Sequence, residues 1–323
     1  MMMMKAMDLQ NLQVFVTVAE ERNMTNAARR LGLSQSAVSQ NVRQIEDSLG
    51  VILVERDRRP LSLTPAGLAL SNRATMLLSE LSQLRALVVD ASQGVKPDLR
   101  VGLVDSFAGT VGPLFVRELL RHASTLSVGT GLSGHHGEAL LARELDLVVS
   151  TEPLIDFDNI WRQRLLSERF VIITPQSWTT TVKHVADVRR LAEQYPIVRF
   201  DRRSHMGLQV DRLLRRIDAK VPHKLEIDRA DSLTSMVAAG SGWAITTPMC
   251  MVQAGDSAKR VRVHYLSDCP TDRSIYLLGR QGEYDRLLRT FSKFASELLK
   301  AQLPHFLDAI DPALWPMVEI SPQ

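Results

Sequence analysis

The segment from Thr64 to Pro97 limits this chain more than any other. Thr64-Pro65-Ala66-Gly67 supplies a capping threonine and a proline suited to the first helical position, and no breaker follows until Gly94-Val95-Lys96-Pro97. A helix filling that interval reaches ~45 Å at ~1.5 Å per residue. Along it Leu70, Ala74, Leu77, Leu81, Leu84, Val88 and Ala91 recur at alternating steps of four and three, the seam of a two-stranded coiled coil. A rod of this kind holds apart what precedes and follows it, and its seam asks for a partner helix. Packing on the chain's own domain is the alternative, because seams this short also occur in monomeric bundles. The rod divides the sequence into residues 8–64, a linker helix over 65–93, a large part over 98–300 and an extension over 301–323.

At 323 residues the chain is long enough for two or more domains of ~150 residues each, and 45 % apolar content lets each bury a core. Lysine and arginine number 39 against 36 acids, a net charge of +3, so a polyanion partner must be argued from local pattern. Two cysteines, Cys250 and Cys269, are too few for a disulfide framework and match no zinc-ligand series. No apolar stretch approaches the ~18 to 20 residues of a bilayer span, which removes a membrane partner. Met1 to Met7 lacks the apolar core of an export signal, so a cytoplasmic location is expected.

Before the rod, Leu12, Phe15, Val16 and Ala19 recur at helical spacing, and Asn23-Met24-Thr25 caps a short second helix through Ala27 to Leu31. Gly32 stops it, and Ser34 opens a third helix from Gln35 to about Leu49. Val38, Val42, Ile45 and Leu49 form that helix's inward face. Gln35, Ser36, Ser39, Gln40 and Arg43 form the other face, rich in the planar and hydroxyl groups that read major-groove base edges. A merely solvated face is the competing reading. After Gly50, two short apolar stretches flank the basic turn Arg56-Asp57-Arg58-Arg59, a wing. Residues 8–64 hold seven arginines and seven acids, but the signs are sorted. Arg29, Arg30, Arg43, Arg56, Arg58 and Arg59 lie on elements that would face a duplex and hold phosphates, whereas Glu20, Glu21, Glu46 and Asp47 cluster at helix ends.

The run Phe15…Ala19-Glu20…Met24-Thr25-Asn26-Ala27-Ala28…Leu31…Ser34-Gln35-Ser36-Ala37-Val38-Ser39…Ile45-Glu46…Leu49-Gly50…Leu53…Arg56…Leu63-Thr64-Pro65-Ala66-Gly67 resembles the N-terminal domain of LysR-type transcriptional regulators in order and spacing throughout. Ser36 stands where that family often has proline, and Val54 where it usually has phenylalanine. The resemblance implies a winged helix-turn-helix with Thr25 and Ser34 joining the DNA contacts. It also implies a homodimer that pairs into a homotetramer, and two recognition helices then ask for a pseudo-palindromic operator.

Beyond Pro97, short β-rich runs such as Leu99 to Val104, Leu145 to Ser150, Phe170 to Thr174 and Trp243 to Thr247 alternate with helical stretches, an α/β rhythm that leaves a cleft between sheets. Gly131-Leu132-Ser133, Leu145 to Val149 and Asp231 through Ile245 with Pro248 are similar to the effector-binding half of the same family, a two-lobed periplasmic-binding-protein-like α/β domain. By that analogy lobe I comprises 98–166 and 249–300, and lobe II 167–248. Ser106 with Phe107 beside it, Ser133, Thr151, Arg199, Ser204 and Thr247 stand at strand ends, positions that line the effector pocket in such proteins. Arg199, Arg202 and Arg203 suit a carboxylate effector as well as they suit solvated surface positions. Arg143 replaces a frequent glycine, and His136 a usual leucine.

Other constellations carry less. His135 and His136 diverge on a helix and lack further ligands, so no metal and no cofactor is expected. Both cysteines read as idle thiols. Gly240-Ser241-Gly242 follows a helix and precedes a strand, a helix stop rather than a phosphate loop. No catalytic signature occurs, so an enzyme is not expected. The reading is a sequence-specific regulator that binds double-stranded promoter DNA and a small-molecule effector, with RNA polymerase an open contact. The alternative is a cytoplasmic small-ligand receptor whose N-terminal domain makes only protein contacts.

Overall fold

The computed structural model describes residues 8–55, 60–91, 96–221, 225–268 and 272–322. They form two compact units that part between Val88 and Val89. In the first unit, α1 (Leu9–Glu21), α2 (Met24–Leu31) and α3 (Gln35–Leu49) precede the antiparallel pair β1 (Val54–Glu55) and β2 (Ser62–Leu63), and α4 (Pro65–Ala91) follows. Local chemistry sets each boundary. The Asp8 carboxylate accepts from the Asn11 N–H at 2.7 Å, Asn23 Oδ1 from Thr25 and Asn26 at 2.8 and 3.1 Å, and Ser34 Oγ from Ala37 at 3.2 Å. Gly32 and Gly50, at φ +66° and +68°, end α2 and α3 in the left-handed region that favours glycine. Phe15, Val18, Ala27, Ala28, Val38, Val42, Ile45 and Leu53 close the core.

The wing base is fastened to α3 by the Glu46 carboxylate, which accepts from the Leu53 and Val54 N–H groups at 2.9 and 3.2 Å. Thr64 Oγ1 donates to the Ile52 carbonyl and accepts from the Gly67 N–H, starting α4 hard against that strand. A Cβ on Gly67 would lie 2.0 Å from the Leu53 oxygen, so only glycine allows the approach.

The seam expected along α4 is split. Ala74 is buried against Leu12 and Val16 of α1, with Leu70 and Leu78 packed beside it, so Leu70 and Ala74 serve their own domain rather than a partner. Leu77, Leu81, Leu84 and Val88 are between 41 and 58 % exposed and keep the four-three-four spacing. One stripe must cover α1 first, and only its later half is left over. The side chain of Ala91 lies outside the described residues.

The second unit comprises β3 (Asp98–Val104), α5 (Asp105–Ala108), α6 (Gly112–His122), β4 (Thr125–Gly131), α7 (Ser133–Leu141), β5 (Leu147–Ser150) and β6 (Ile160–Arg169). It continues with β7 (Val171–Pro175), α8 (Val185–Gln194), β8 (Arg199–Phe200), α9 (His205–Arg216), β9 (Glu226–Ile227), α10 (Ala230–Ala238) and β10 (Ala244–Thr246). It ends with α11 (Pro248–Gln253), β11 (Val261–Tyr265), β12 (Asp272–Arg280), α12 (Asp285–Asp308) and β13 (Val318–Ile320). Lobe I is a six-stranded sheet in the order β13-β6-β12-β5-β3-β4. Lobe II holds β10-β7-β11 and the parallel pair β8-β9, linked by a bridge between Ile197 and Trp243.

Two sequence boundaries move. Strand β11 pairs with β7, so the chain returns to lobe I after Tyr265, not at residue 249. Residue 300 falls inside α12, and the extension expected over 301–323 is built into lobe I as far as it is described. There β13 pairs antiparallel with β6, Val318 opposite Glu168 and Ile320 opposite Leu166. Arg164 Nε donates to Ser321 Oγ at 2.9 Å, and the Tyr265 hydroxyl donates to Asp311 at 2.8 Å. Arg143 explains its own oddity: at φ +63° it adopts the backbone that glycine favours, and its guanidinium pairs at 2.7 Å with the buried Glu283. His136 is buried, and its ring fills the space above Gly102, where a Cβ would meet it at 2.9 Å.

Candidate DNA-reading face and effector cleft

Burial of Val38, Val42 and Ile45 forces the opposite face of α3 outward. Gln35, Ser36, Gln40 and Arg43 are exposed and Ser39 half-exposed, with Thr25 and Arg29 exposed on α2. Ser34 Oγ lies 2.9 Å from Ser36 Oγ while capping α3, so the turn hydroxyls are held in place. Arg30 departs from expectation: its guanidinium donates to Glu20 at 2.9 Å and Glu21 at 3.2 Å, so its charge is largely answered within the domain. Arg56, Arg58 and Arg59 lie outside the described residues, as does Cys269.

A cavity of about 50 Å³ lies between the lobes of the second unit. Parallel strands β3, β4 and β5 end there, delivering Ser106, Ser133 and Thr151 from lobe I, while β8 and the start of α9 deliver Phe200, Ser204 and His205 from lobe II. This is the crevice that carboxyl ends of strands create in open α/β sheets. Helices α7 and α10 begin at it without a side-chain cap, but in α10 the Asp231 carboxylate accepts from the Ser232 N–H at 2.7 Å, so only the start of α7 is left without a local side-chain acceptor. Ser204 instead caps α9, accepting from the Gly207 N–H at 2.9 Å.

Arg273, on β12 and buried, organises the floor of the cleft. Its Nη2 donates to Ser106 Oγ at 2.7 Å, and its Nη1 to Thr247 Oγ1 at 3.0 Å and Cys250 Sγ at 3.1 Å. Glu168 lies 3.3 Å from Nη1, and its other oxygen accepts from the Met249 N–H at 2.8 Å. Burial pushes the Glu168 carboxyl above its ordinary range, opposed by Arg273, the Met249 amide and the Thr247 hydroxyl. Burial likewise raises the Cys250 thiol, with Arg273 opposing the shift.

Further polar contacts cross the cleft nearer its mouth. Thr151 Oγ1 lies 2.8 Å from both Ser133 Oγ and His205 Nδ1, a polar chain from lobe I to lobe II. Burial, then repulsion from Arg273 and Arg212, lowers the His205 pKa to about 4, so its ring is neutral near pH 7. Arg229 reaches from the start of α10 to within 3.8 Å of Asp105.

Of the expected cleft residues, Ser106, Ser133, Thr151 and Ser204 line the cavity, and Thr247 stands behind it on Arg273. Phe107 is a core residue, edge-on to Phe115 at 5.3 Å between ring centres. Arg199 is absent from the cleft. It is buried in lobe II and paired with Asp211, and Arg203 is tied to Asp201 at 2.8 Å.

Residues 9–68 match the model of the bacterial regulatory helix-turn-helix protein of the lysR family, and residues 92–300 match the LysR substrate binding domain. The chain belongs to the LysR family. It is therefore a DNA-binding transcriptional regulator with an effector-binding domain, in a family of regulators and not of enzymes. Among curated relatives, it is 28 % identical over 268 residues to a probable cat1 operon transcriptional activator of Acinetobacter lwoffii, covering 80 % of this chain and 84 % of that one. It is 26 % identical over 269 residues to the regulator GltR of Bacillus subtilis, covering 81 % and 86 %. Full-length OxyR from Pseudomonas aeruginosa shares the fold at TM-score 0.62 and 21 % identity, over 90 % of this chain and 98 % of that one. Full-length CbnR complexed with its target DNA does so at 0.55 and 21 %, over 90 % and 100 %.

Within this LysR-family chain, sequence reasoning missed Arg273, Glu168, His205 and Arg229. Arg273 meets Ser106 from 167 positions away in sequence, so no local spacing could pair them. The one available signal was an arginine and an acid at matching places in two apolar runs that become neighbours, Arg273 opposite Glu168 in the β12-β6 register. Among the described residues no helix is long and apolar enough to cross a membrane, and no group of histidine, cysteine and carboxylate side chains is placed to hold a metal.

Proposed function

We propose that this regulator reads its operator with Gln35, Ser36, Ser39, Gln40 and Arg43, held in register by phosphate contacts from Thr25, Arg29, Ser34 and the wing residues Arg56, Arg58 and Arg59. The observation that carries this is the outward row of planar and hydroxyl groups on α3, backed by the buried Val38, Val42 and Ile45; Leu49, expected on the same inner face, is exposed at the helix end. The exposed stripe Leu77, Leu81, Leu84 and Val88 supports pairing of two copies, with two dimers forming a tetramer and the operator taking two half-sites. We place the protein in the cytoplasm. Contact with RNA polymerase follows only if the regulator activates.

The effector is a small organic anion held between Ser106, Ser133, Thr151 and the uncapped start of α7, with Arg273 the charge beneath it. Free N–H groups at that helix start and one buried guanidinium support that choice. Its binding trades against the Thr151–His205 contact that spans the lobes.

A mobility-shift assay with the DNA upstream of the protein's own reading frame tests the DNA assignment. Retardation should fall steeply with salt. Arg43→Ala should lower the ratio of specific to non-specific affinity, whereas Arg29→Ala should weaken both alike; equal losses would reject the roles. Leu77→Asp with Leu84→Asp should weaken self-association at least about tenfold and operator binding with it. Sedimentation showing an unchanged oligomer would remove the seam.

A further inference from the structure

The arginines that sequence reasoning directed to the effector cleft open onto a different cavity. Side chains alternate along β8, so Phe200 lines the cleft while Arg199 faces the far side. There a cavity of about 300 Å³ lies under the C-terminal half of α9. Among the described residues that line it, Arg199, Arg202, Arg215 and Lys220 are cations and Asp211 is the sole carboxylate. Asp211 is shared: it pairs with the buried Arg199, and Arg202 Nε approaches its other oxygen at 3.3 Å. Glu226 stands 3.7 Å from Arg202 at the rim. Arg215 and Lys220 are exposed, with no ion pair to a described residue.

We propose that this cavity is a second ligand site, for a compact anion of two or more charges, phosphoryl or polycarboxylate. Four cations around Asp211 and the rim carboxylate Glu226 repel one another, and a multivalent anion reduces that repulsion while accepting several N–H donors at once. Arg199 registers the strain. Burial first, then repulsion from Arg202 and Arg215, lowers its pKa, with Glu226 opposing. Guanidinium groups in a converging set suit bidentate capture, and Leu214 and Val221 give the site an apolar wall. The first turn of α9 borders the cleft and its last borders this cavity, so one helix walls both.

The test uses the full-length protein without DNA, with pyrophosphate and citrate titrated at constant ionic strength while unfolding temperature and calorimetric heat are followed. Saturable binding of either probe is expected, and the tighter of the two tells phosphoryl from polycarboxylate. Arg215→Gln with Lys220→Gln, both exposed and therefore tolerated by the fold, should weaken that binding about tenfold or more. Arg229→Gln, at the mouth of the cleft, should leave it unchanged, which separates this site from the effector reading. No saturable binding of either probe, equal binding by the double variant, or loss in Arg229→Gln alone would overturn the proposal.

Discussion

The two recognition surfaces are assembled in opposite ways. The proposed base-reading face comes from one stretch of chain, Thr25 to Arg43, in which helical period and caps decide which side chains point outward. The cleft is gathered from seven separate stretches between Val104 and Arg273, brought together by strand order alone. A surface made locally keeps its geometry while its own few helices stay folded. A surface made by topology inherits every weakness of the sheets that frame it, and so it can also be altered by moving them.

Arg273→Met gives the largest expected contrast. It leaves Glu168 buried without its cation, at a cost of about 3–5 kcal/mol, and removes the donor to Ser106 and Thr247. Calorimetry should show the second unit melting earlier with the first unchanged, and titrated organic acids should lose their stabilising effect. A uniform fall in both units would break the contrast.

Acid should separate the units next. All eight histidines lie beyond Val88. Burial, then Arg262, lowers the His264 pKa to about 4, and its ring bonds as the neutral form to Thr174 at 2.9 Å. Above pH 6.5 the ring is neutral whether folded or not. As pH falls the unfolded chain takes the proton first, so stability drops between pH 6.5 and 4 by about 3 kcal/mol and then levels. His205 acts in the same direction over the same window. Unfolding of the second unit followed against pH should show this slope, and His264→Gln should remove about half of it, His205 supplying the rest; an equal slope in the histidine-free first unit would refute the assignment.

The smallest effect sharpens the other side. Asn23→Ala removes the acceptor for the first N–H groups of α2 and should cost about 1 kcal/mol in the first unit, seen in its unfolding midpoint, with the second unmoved.

The same contrast explains what could be read from the sequence. The boundaries of α2 and α3 were visible because Asn23, Gly32, Ser34 and Gly50 act within a turn of where they stand. Strands β3, β5, β7 and β10 were visible as apolar runs, and Ser106, Ser133 and Thr151 as residues just past the ends of β3, β4 and β5. Arg199 was misdirected because a strand of two residues hides its parity: a one-position shift exchanges cleft for back face. Arg273 was invisible because its partners are distant in sequence. Leu70 and Ala74 of the α4 seam were overread because its heptads do not say which turns α1 already occupies.

Strand β13 has one more consequence. It covers the flank of β6 at Leu166 to Glu168, where the chain is about to pass from lobe I to lobe II. Stripped of β13, that flank is a bare edge able to recruit a neighbour's backbone. Those three residues therefore act as a shield for the sheet as much as a part of it.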